Sequence, residues 1–185
     1  MSNKRLVFLV EVAIFAGLAL ILDLIAIKGW TQGGSISLAM VPVFLISFRR
    51  GLRGGLLTGF LFGLLQLITN PYFLNIIQVI NDYFFAFTAI GLAGIFSRKI
   101  KDSVLSGNRM QVNLYIIIGT FVGSLFRFIA HYISGVAFFG SSAPEGTPVS
   151  VYSLVYNGSY MLPNFILCTI VMILLVNASK RLLHT

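Results

Sequence analysis

Residues 6–27 read LVFLVEVAIFAGLALILDLIAI, an apolar run of the length that a membrane-crossing helix needs. Lys4 and Arg5 precede it, as basic residues would in a secretory signal. Glu11 interrupts the run, however, and no small-residue cleavage site precedes a polar segment. We therefore expect this stretch to remain in the protein as its first transmembrane helix.

Further apolar stretches follow, and together with the first they predict six helices. The predicted helices are Leu6–Ile27, Leu38–Phe48, Leu52–Thr69, Phe73–Phe96, Gln111–Phe138 and Val149–Val176. The second is too short to cross a bilayer, contains Pro42 and follows the polar stretch 31–35. Irregular backbone at membrane depth is tolerated only where protein covers it or where it lines a cavity. We therefore predict an all-α integral membrane protein, one six-helix domain over residues 1–185, whose first external loop folds over an outward-facing pocket.

The composition excludes a soluble globular domain. Hydrophobic residues make up 57% of the 185 residues, charged residues make up 10%, and mean hydropathy is +0.94. The net charge of +8 does not indicate nucleic-acid binding, because the basic residues lie at the ends of the predicted helices. The single cysteine, Cys168, permits neither an internal disulfide nor a cysteine-based metal site.

The basic residues fall at alternate breaks between the predicted helices. They are Lys4, Arg5, Arg49, Arg50, Arg53, Arg98, Lys99, Lys101, Arg109, Lys180 and Arg181, against Lys28 at the other breaks. Cytoplasmic loops are enriched in Lys and Arg, so we predict cytoplasmic termini and a multi-pass protein of the bacterial plasma membrane. The two halves share no hydropathy rhythm, which argues against a self-sufficient transporter built from repeats.

Small residues form flat faces on two of the helices. Ala13 and Gly17 make a small-xxx-small pair on the first helix, which Ala16 and Ala19 are expected to widen. Such faces let helices approach closely, so both internal packing and docking to a separate membrane protein fit this pattern. A second face on the third helix consists of Gly51, Gly54, Gly55, Gly59 and Gly63, and we expect it to pack internally.

Several polar residues lie inside stretches that should be in lipid, where an ionisable group is costly and rarely kept without a partner or a use. Arg127 and His131 are four residues apart and share a helix face. The candidate site residues are Trp30, Asp82, Tyr83, Arg127, His131, Gly135, Phe139, Tyr152 and Asn157. We expect them to converge on one polar, aromatic-lined site in the outer half of the bundle.

A buried carboxylate flanked by aromatic rings suits an organic cation. Asp82 would supply the charge, and Trp30 or Phe139 would stack on a flat cationic ring. His, Asn and Tyr side chains supply the directional donors and acceptors that read the edge of a heterocycle. The sequence has no glycine-rich phosphate loop, no nucleophile with a placed base and no metal-ligand spacing, so we expect neither an enzyme nor a bound cofactor.

Simpler roles remain open for these residues at this point. Asp82 and Arg127 would also fit a structural ion pair between helices. Trp30, Tyr72 and Tyr152 would also fit the aromatic belt at the membrane interface, most of all Tyr72. Asn157 would also fit an interhelical hydrogen bond.

Four segments carry a resemblance to a known family. They are residues 81–87 (NDYFFAF), 121–131 (FVGSLFRFIAH), 138–144 (FFGSSAP) and 152–158 (YSLVYNG). They resemble the ThiT family, the thiamine-specific S components of energy-coupling factor (ECF) vitamin transporters. The likeness extends from Glu11 to the last helix.

The resemblance implies a six-helix subunit that captures extracellular thiamine for ATP-driven uptake. It implies docking on an EcfT-type transmembrane coupling protein with two cytoplasmic ATPase subunits, through Ala13 and Gly17 on the first helix. It places the thiamine site at Asp82, Tyr83, Arg127, His131, Gly135, Phe139, Tyr152 and Asn157, with Trp30 from the first loop.

The sequence departs from the family pattern at three of these positions. The family has Glu where Asp82 stands, Lys where Arg127 stands and Trp where Phe139 stands. Other functions compatible with the residues are an S component for another vitamin or a thiamine precursor, a membrane-integral enzyme using His131 and Asp82 as acid and base, and a structural subunit without ligand.

Overall fold

The computed structural model describes residues 3–183, and the fold is almost entirely helical. The helices are α1 (Asn3–Leu24), α2 (Met40–Thr69), α3 (Ile76–Val79), α4 (Ala86–Ile90), α5 (Ser97–Leu105), α6 (Arg109–Phe138) and α7 (Val149–Ala178). Between α1 and α2, β1 (Ile27–Lys28) pairs antiparallel with β2 (Ser35–Ile36). Short 3₁₀ turns follow at Gly140–Ser142 and Lys180–Leu183.

Helices α3, α4 and α5 form one rod, the 76–105 rod. A π-helical turn at Ile80–Phe85 joins α3 to α4, and a 3₁₀ turn at Gly91–Phe96 joins α4 to α5. The described residues contain five helices long and apolar enough to cross a membrane, namely α1, α2, the rod, α6 and α7. The prediction of a helical integral membrane protein is thereby confirmed, although the rod extends past the predicted end at Phe96.

Helix α2 is broken at Gly51, whose backbone has φ 72° and ψ −166°. Glycine adopts such a conformation without the steric penalty of a side chain. A Cβ on Gly55 would collide with the Ser47 side chain, although positions eight apart in a straight helix lie about 12 Å from each other. The chain therefore folds back at Gly51, and the predicted boundary between the second and third helices lies at this break.

The glycines after the break pack against the 76–105 rod. A Cβ on Gly55 would collide with the backbone of Gly91, and one on Gly63 would collide with the Tyr83 carbonyl. The predicted internal packing of this glycine face is thus confirmed for Gly55, Gly59 and Gly63. Because Tyr83 belongs to the π-helical turn of the rod, this turn is in direct contact with α2 at Gly63.

The π-helical turn places two neighbouring side chains inside the bundle. Successive residues of an α-helix point about 100° apart, so they rarely face the same cavity. Asp82 and Tyr83 nevertheless have exposed fractions of only 9% and 8%. Single π-helical turns are frequent at functional sites, where they redirect side chains in this way.

Helix α1 has one inward and one outward face. Val12, Ala16 and Ala19 are buried against the rest of the bundle. Ala13 is exposed, and a Cβ on Gly17 would meet no atom within 4 Å. The expectation that Ala16 and Ala19 widen the Ala13–Gly17 face is therefore wrong, because both alanines are buried against the rest of the bundle.

A cluster of charges ties several elements together at one end of the bundle. Glu11 of α1 accepts hydrogen bonds from Arg49 at 3.0 Å and from Arg50, both just before the break in α2. Arg49 also donates to the Leu182 carbonyl at 3.1 Å, and Lys101 donates to the Arg49 carbonyl at 2.7 Å. We call Glu11, Arg49, Arg50 and Lys101 the basic-end cluster.

Candidate functional site

A cavity of about 320 Å³ lies at the other end of the bundle, beneath the loop between α1 and α2. Its volume falls in the range of small-molecule sites. The wall includes every residue that the sequence singled out for a ligand: Trp30, Asp82, Tyr83, Arg127, His131, Gly135, Phe139, Tyr152 and Asn157. The fold therefore brings together residues from the first loop, the rod, α6 and α7.

Asp82 lies at the centre of a hydrogen-bond network in this wall. Its Oδ2 accepts from Gln78 Nε2 at 2.7 Å and from Ser134 Oγ at 2.8 Å. Its Oδ1 lies 3.2 Å from His131 Nδ1. A carboxylate offers about four acceptor positions, so about one remains for a ligand.

Arg127 and its neighbours fix the state of the His131 ring. Arg127 Nε lies 3.4 Å from His131 Nε2, and a guanidinium can only donate. Nε2 is therefore the acceptor and Nδ1 carries the proton that Asp82 accepts, which makes the imidazole neutral. The Arg127 guanidinium also lies over the Phe87 ring, 4.5 Å from its centroid.

The structure contradicts a direct ion pair between Asp82 and Arg127. Among residues 3–183, the basic side chain within 4.0 Å of the Asp82 carboxylate is that of His131, and not that of Arg127. His131 therefore mediates between the guanidinium and the carboxylate. The sequence alternative of a structural pair is wrong for this reason.

The loop between α1 and α2 forms the roof of the cavity by bonding to α7. Trp30 Nε1 donates to Ser159 Oγ at 2.7 Å, and the Gln32 backbone N donates to Tyr156 Oη at 2.9 Å. Deeper in the bundle, the Ser37 backbone N donates to Asn164 Oδ1 at 2.8 Å. The bonds from Gln32 and Ser37 satisfy backbone N–H groups of the loop, which lipid could not do. Irregular backbone at membrane depth requires such partners.

Aromatic rings cover much of the remaining wall. Tyr72 packs against Phe139 with ring centroids 5.6 Å apart, and both rings line the cavity. Tyr152 also lines it, and its hydroxyl donates to Gln32 Oε1 at 3.3 Å. The rings of Tyr72, Tyr152 and Trp30 therefore all line the cavity, and their placement in the interfacial aromatic belt stays a prediction.

Asn157 and Gly135 mark the closest approach of α6 and α7 at the cavity. Asn157 Nδ2 donates to the Ser153 carbonyl at 2.9 Å, and its Oδ1 accepts from Tyr160 Oη at 2.7 Å. A Cβ on Gly135 would collide with Ser153 Oγ. Gly135 thus serves contact between helices, and Asn157 is partly engaged by its own helix.

Sequence reasoning missed several polar side chains of the wall. They include Asp23, Gln66, Gln78, Ser134, Ser153 and Tyr160. Helical spacing could have found some of them, since Gln78 lies four residues before Asp82 and Ser134 lies three after His131. Asp23 gave no comparable signal, because it stands near the end of an otherwise apolar run.

Comparison with known proteins gives a consistent result. Residues 9–184 match the family model described as thiamine transporter protein (Thia_YuaJ). The thiamine transporter ThiT of Bacillus subtilis is 46% identical, with 100% of this chain and 97% of the relative covered. That of Lacticaseibacillus paracasei is 32% identical, with 98% and 92% covered.

Two solved structures are also similar. The chain superimposes on ThiT from Listeria monocytogenes with TM-score 0.93 and 32% identity, covering 99% of this chain and 100% of that one. It superimposes on the S component of a bacterial ECF transporter with TM-score 0.59 and 20% identity, covering 96% of each. At that identity, the second likeness concerns the fold alone.

Proposed function

The chain belongs to the thiamine transporter family, and from this we propose that its cavity binds thiamine and that it is the substrate-binding S subunit of an ECF-type transporter. The observation that carries the proposal is the wall of the cavity. It combines a buried carboxylate, a neutral imidazole and a carboxamide with several aromatic rings.

The two rings of thiamine make complementary demands on such a wall. The aminopyrimidine ring offers an amino donor and ring-nitrogen acceptors, and the thiazolium ring carries a permanent positive charge. Asp82, His131 and Asn157 provide the directional groups that read the pyrimidine edge. The rings of Trp30 and Phe139 provide faces on which a cationic ring is stabilised.

We further propose that the cavity faces outward and that both termini are cytoplasmic. The roof loop and the basic-end cluster lie at opposite ends of the bundle, and the cluster belongs to the Lys- and Arg-rich breaks. Because such breaks favour the cytoplasm, the cavity opens to the outside. We propose in addition that the parts of α2 on either side of the break at Gly51 are two separate membrane-embedded helices, and the break supports the six-helix count in this way.

The exposed face of α1 supports docking to a transmembrane coupling protein of the EcfT type. Ala13 and Gly17 leave a shallow surface there, and apolar side chains such as Ile14 and Leu18 flank it. Small residues let helix backbones approach closely in lipid. Two cytoplasmic ATPase subunits would then supply the energy, and this chain would act as a binding subunit rather than an enzyme.

Fluorescence of the single tryptophan tests the ligand assignment. Trp30 lines the cavity, so thiamine added to the detergent-purified protein should change its emission saturably. We expect a sub-micromolar dissociation constant, about −8 kcal/mol or tighter. Biotin, which has no cationic ring, serves as the control ligand. An unchanged emission together with no heat of binding by calorimetry would remove thiamine as the ligand.

The docking face is tested by a bulky substitution on α1. Gly17→Leu should leave thiamine binding intact and abolish uptake in cells, because it fills the space a partner helix needs. Gly158→Leu is the matched control, since Gly158 also has no atom near its Cβ position but lies on α7. Normal uptake by the Gly17→Leu variant would assign this face to lipid.

A further inference from the structure

The strongest feature outside the predicted site is a second carboxylate in the cavity wall, that of Asp23. It lies next to the last residue of α1, at the edge of the roof loop. The side-chain contact found for it among residues 3–183 is Ser37 Oγ, at 3.5 Å. That distance is at the outer limit of a hydrogen bond, so the carboxylate keeps nearly all of its acceptor capacity.

Helix stability does not account for an acidic residue at this place. The C-terminal end of a helix carries partial negative charge, which disfavours a carboxylate there. An ionisable residue within a membrane-spanning helix is costly as well, and such residues are kept for a partner or a use. Asp23 has neither a cationic partner within 4.0 Å among the described residues nor a capping role.

The charge balance of the cavity indicates a role for Asp23 in binding a ligand. The charged residues of the wall are Asp23, Asp82, Arg127 and Lys28, and His131 is neutral by the hydrogen-bond argument above. Lys28 is exposed on the roof hairpin, where water screens its ammonium group. Apart from Lys28, two carboxylates and one guanidinium therefore line the cavity, and these three side chains together carry one negative charge in excess.

Asp82 is a poor source of that excess charge for a ligand. Three neutral or ring donors already bind its oxygens, whereas Asp23 has one marginal contact. The Arg127 guanidinium reaches Asp82 through His131, since Arg127 Nε lies 3.4 Å from His131 Nε2 and His131 Nδ1 lies 3.2 Å from Asp82 Oδ1. The available negative charge thus lies at the α1 side of the cavity.

We propose that Asp23 is a specificity-determining residue whose carboxylate faces the cationic ring of the bound ligand. Asp82 then holds the neutral heterocycle, and Asp23 makes the cavity prefer a monocation over an uncharged molecule of the same shape. This inference rests on the proposed function, because it takes thiamine as the ligand. It assigns the two rings of that ligand to two different carboxylates.

Calorimetry with two probes on the detergent-purified full-length protein tests the assignment. One probe is thiamine, and the other is its neutral analogue with a thiophene ring in place of the thiazolium ring. Asp23→Asn should weaken thiamine binding about 10- to 100-fold, the range for a hydrogen bond to a charged group. The same variant should bind the neutral analogue as the unsubstituted protein does, and Asp23→Glu should restore much of the preference.

The matched control is Asp102→Asn, which removes a carboxylate that is 67% exposed and lies in an ion pair with Arg98. It should change neither affinity. An equal loss of both probes in Asp23→Asn would show that Asp23 maintains the cavity structure, and an unchanged preference would show that it does not face the cation. Either result overturns the inference while leaving thiamine as the ligand. Failure of the unsubstituted protein to bind thiamine would instead overturn the proposed function itself.

Discussion

The two ends of the bundle both contain buried or half-buried charges, but they use them differently. At the basic end, Glu11 is bonded by both Arg49 and Arg50, and its side chain is 18% exposed. In the cavity, Arg127 makes one long bond of 3.4 Å, to a neutral His131. Among the described residues, no carboxylate lies within 4.0 Å of the Arg127 guanidinium.

This difference distinguishes two kinds of charged residue. Those at the basic end bond one helix to another, whereas those in the cavity keep donors or acceptors that a ligand can use. A charge that is paired with opposite charges inside the protein contributes to the fold, and removing one partner of such a pair is destabilising. A charge whose donors or acceptors remain open is costly until something else binds it. The basic end should therefore govern stability, and the cavity should govern affinity.

The largest expected effect is on stability at the basic end. Glu11→Gln leaves two arginines close together without a counter-charge, so we expect a loss of about 3 kcal/mol, the low end for a broken buried pair. The low end applies because the three side chains are 18–24% exposed. Thermal unfolding in detergent should show a clearly lower midpoint.

The folded Glu11→Gln variant should bind thiamine with the affinity of the unsubstituted protein. Lower stability with unchanged affinity would show that the basic end acts on the fold and not on the ligand. Asp102→Asn is the control, because its pair with Arg98 is 3.8 Å long and mostly exposed and should contribute at most about 1 kcal/mol. A Glu11→Gln variant of normal stability but weaker ligand binding would break the comparison.

The next effect is on affinity in the cavity. Asp82→Asn removes the acceptor that His131, Gln78 and Ser134 share, so we expect binding to weaken by about 2 kcal/mol. His131→Ala should act in the same direction, because it disconnects Arg127 from Asp82. Thiamine titration by tryptophan fluorescence measures both, and affinities equal to that of the unsubstituted protein would place the ligand elsewhere.

The sequence predicted most of this site because its residues stand out against an apolar background. Arg127 and His131 share a helix face by spacing alone, and Asp82 is conspicuous inside a hydrophobic stretch. The partners within the network were not predictable in the same way. Which group bonds Asp82 depends on how closely the rod approaches α6, and tertiary packing sets that distance.

Two other features escaped prediction for related reasons. The π-helical turn that directs Asp82 and Tyr83 inward has no signature in the amino-acid composition, so nothing in the sequence indicated it. The break in α2, by contrast, was predicted in place, between the second and third predicted helices. Asp23 was overlooked because its place in the cavity wall depends on the loop that folds back beside it.

The smallest effect concerns a residue that acts on the ligand only through Asp82. Ser134 is 1% exposed and donates to Asp82 Oδ2 at 2.8 Å, so it orients the carboxylate without adding charge. Ser134→Ala should therefore weaken thiamine binding by about 1 kcal/mol, the usual worth of one neutral hydrogen bond. Ser106→Ala is the control, since the Ser106 hydroxyl donates to the Ser103 carbonyl at 3.1 Å and does not line the cavity.

A double variant tests whether Ser134 acts through Asp82. In the Asp82→Asn, Ser134→Ala protein, the Ser134→Ala change should weaken thiamine binding less than it does alone, because the two groups share one interaction. Fully additive losses would mean that Ser134 acts on the ligand independently of Asp82.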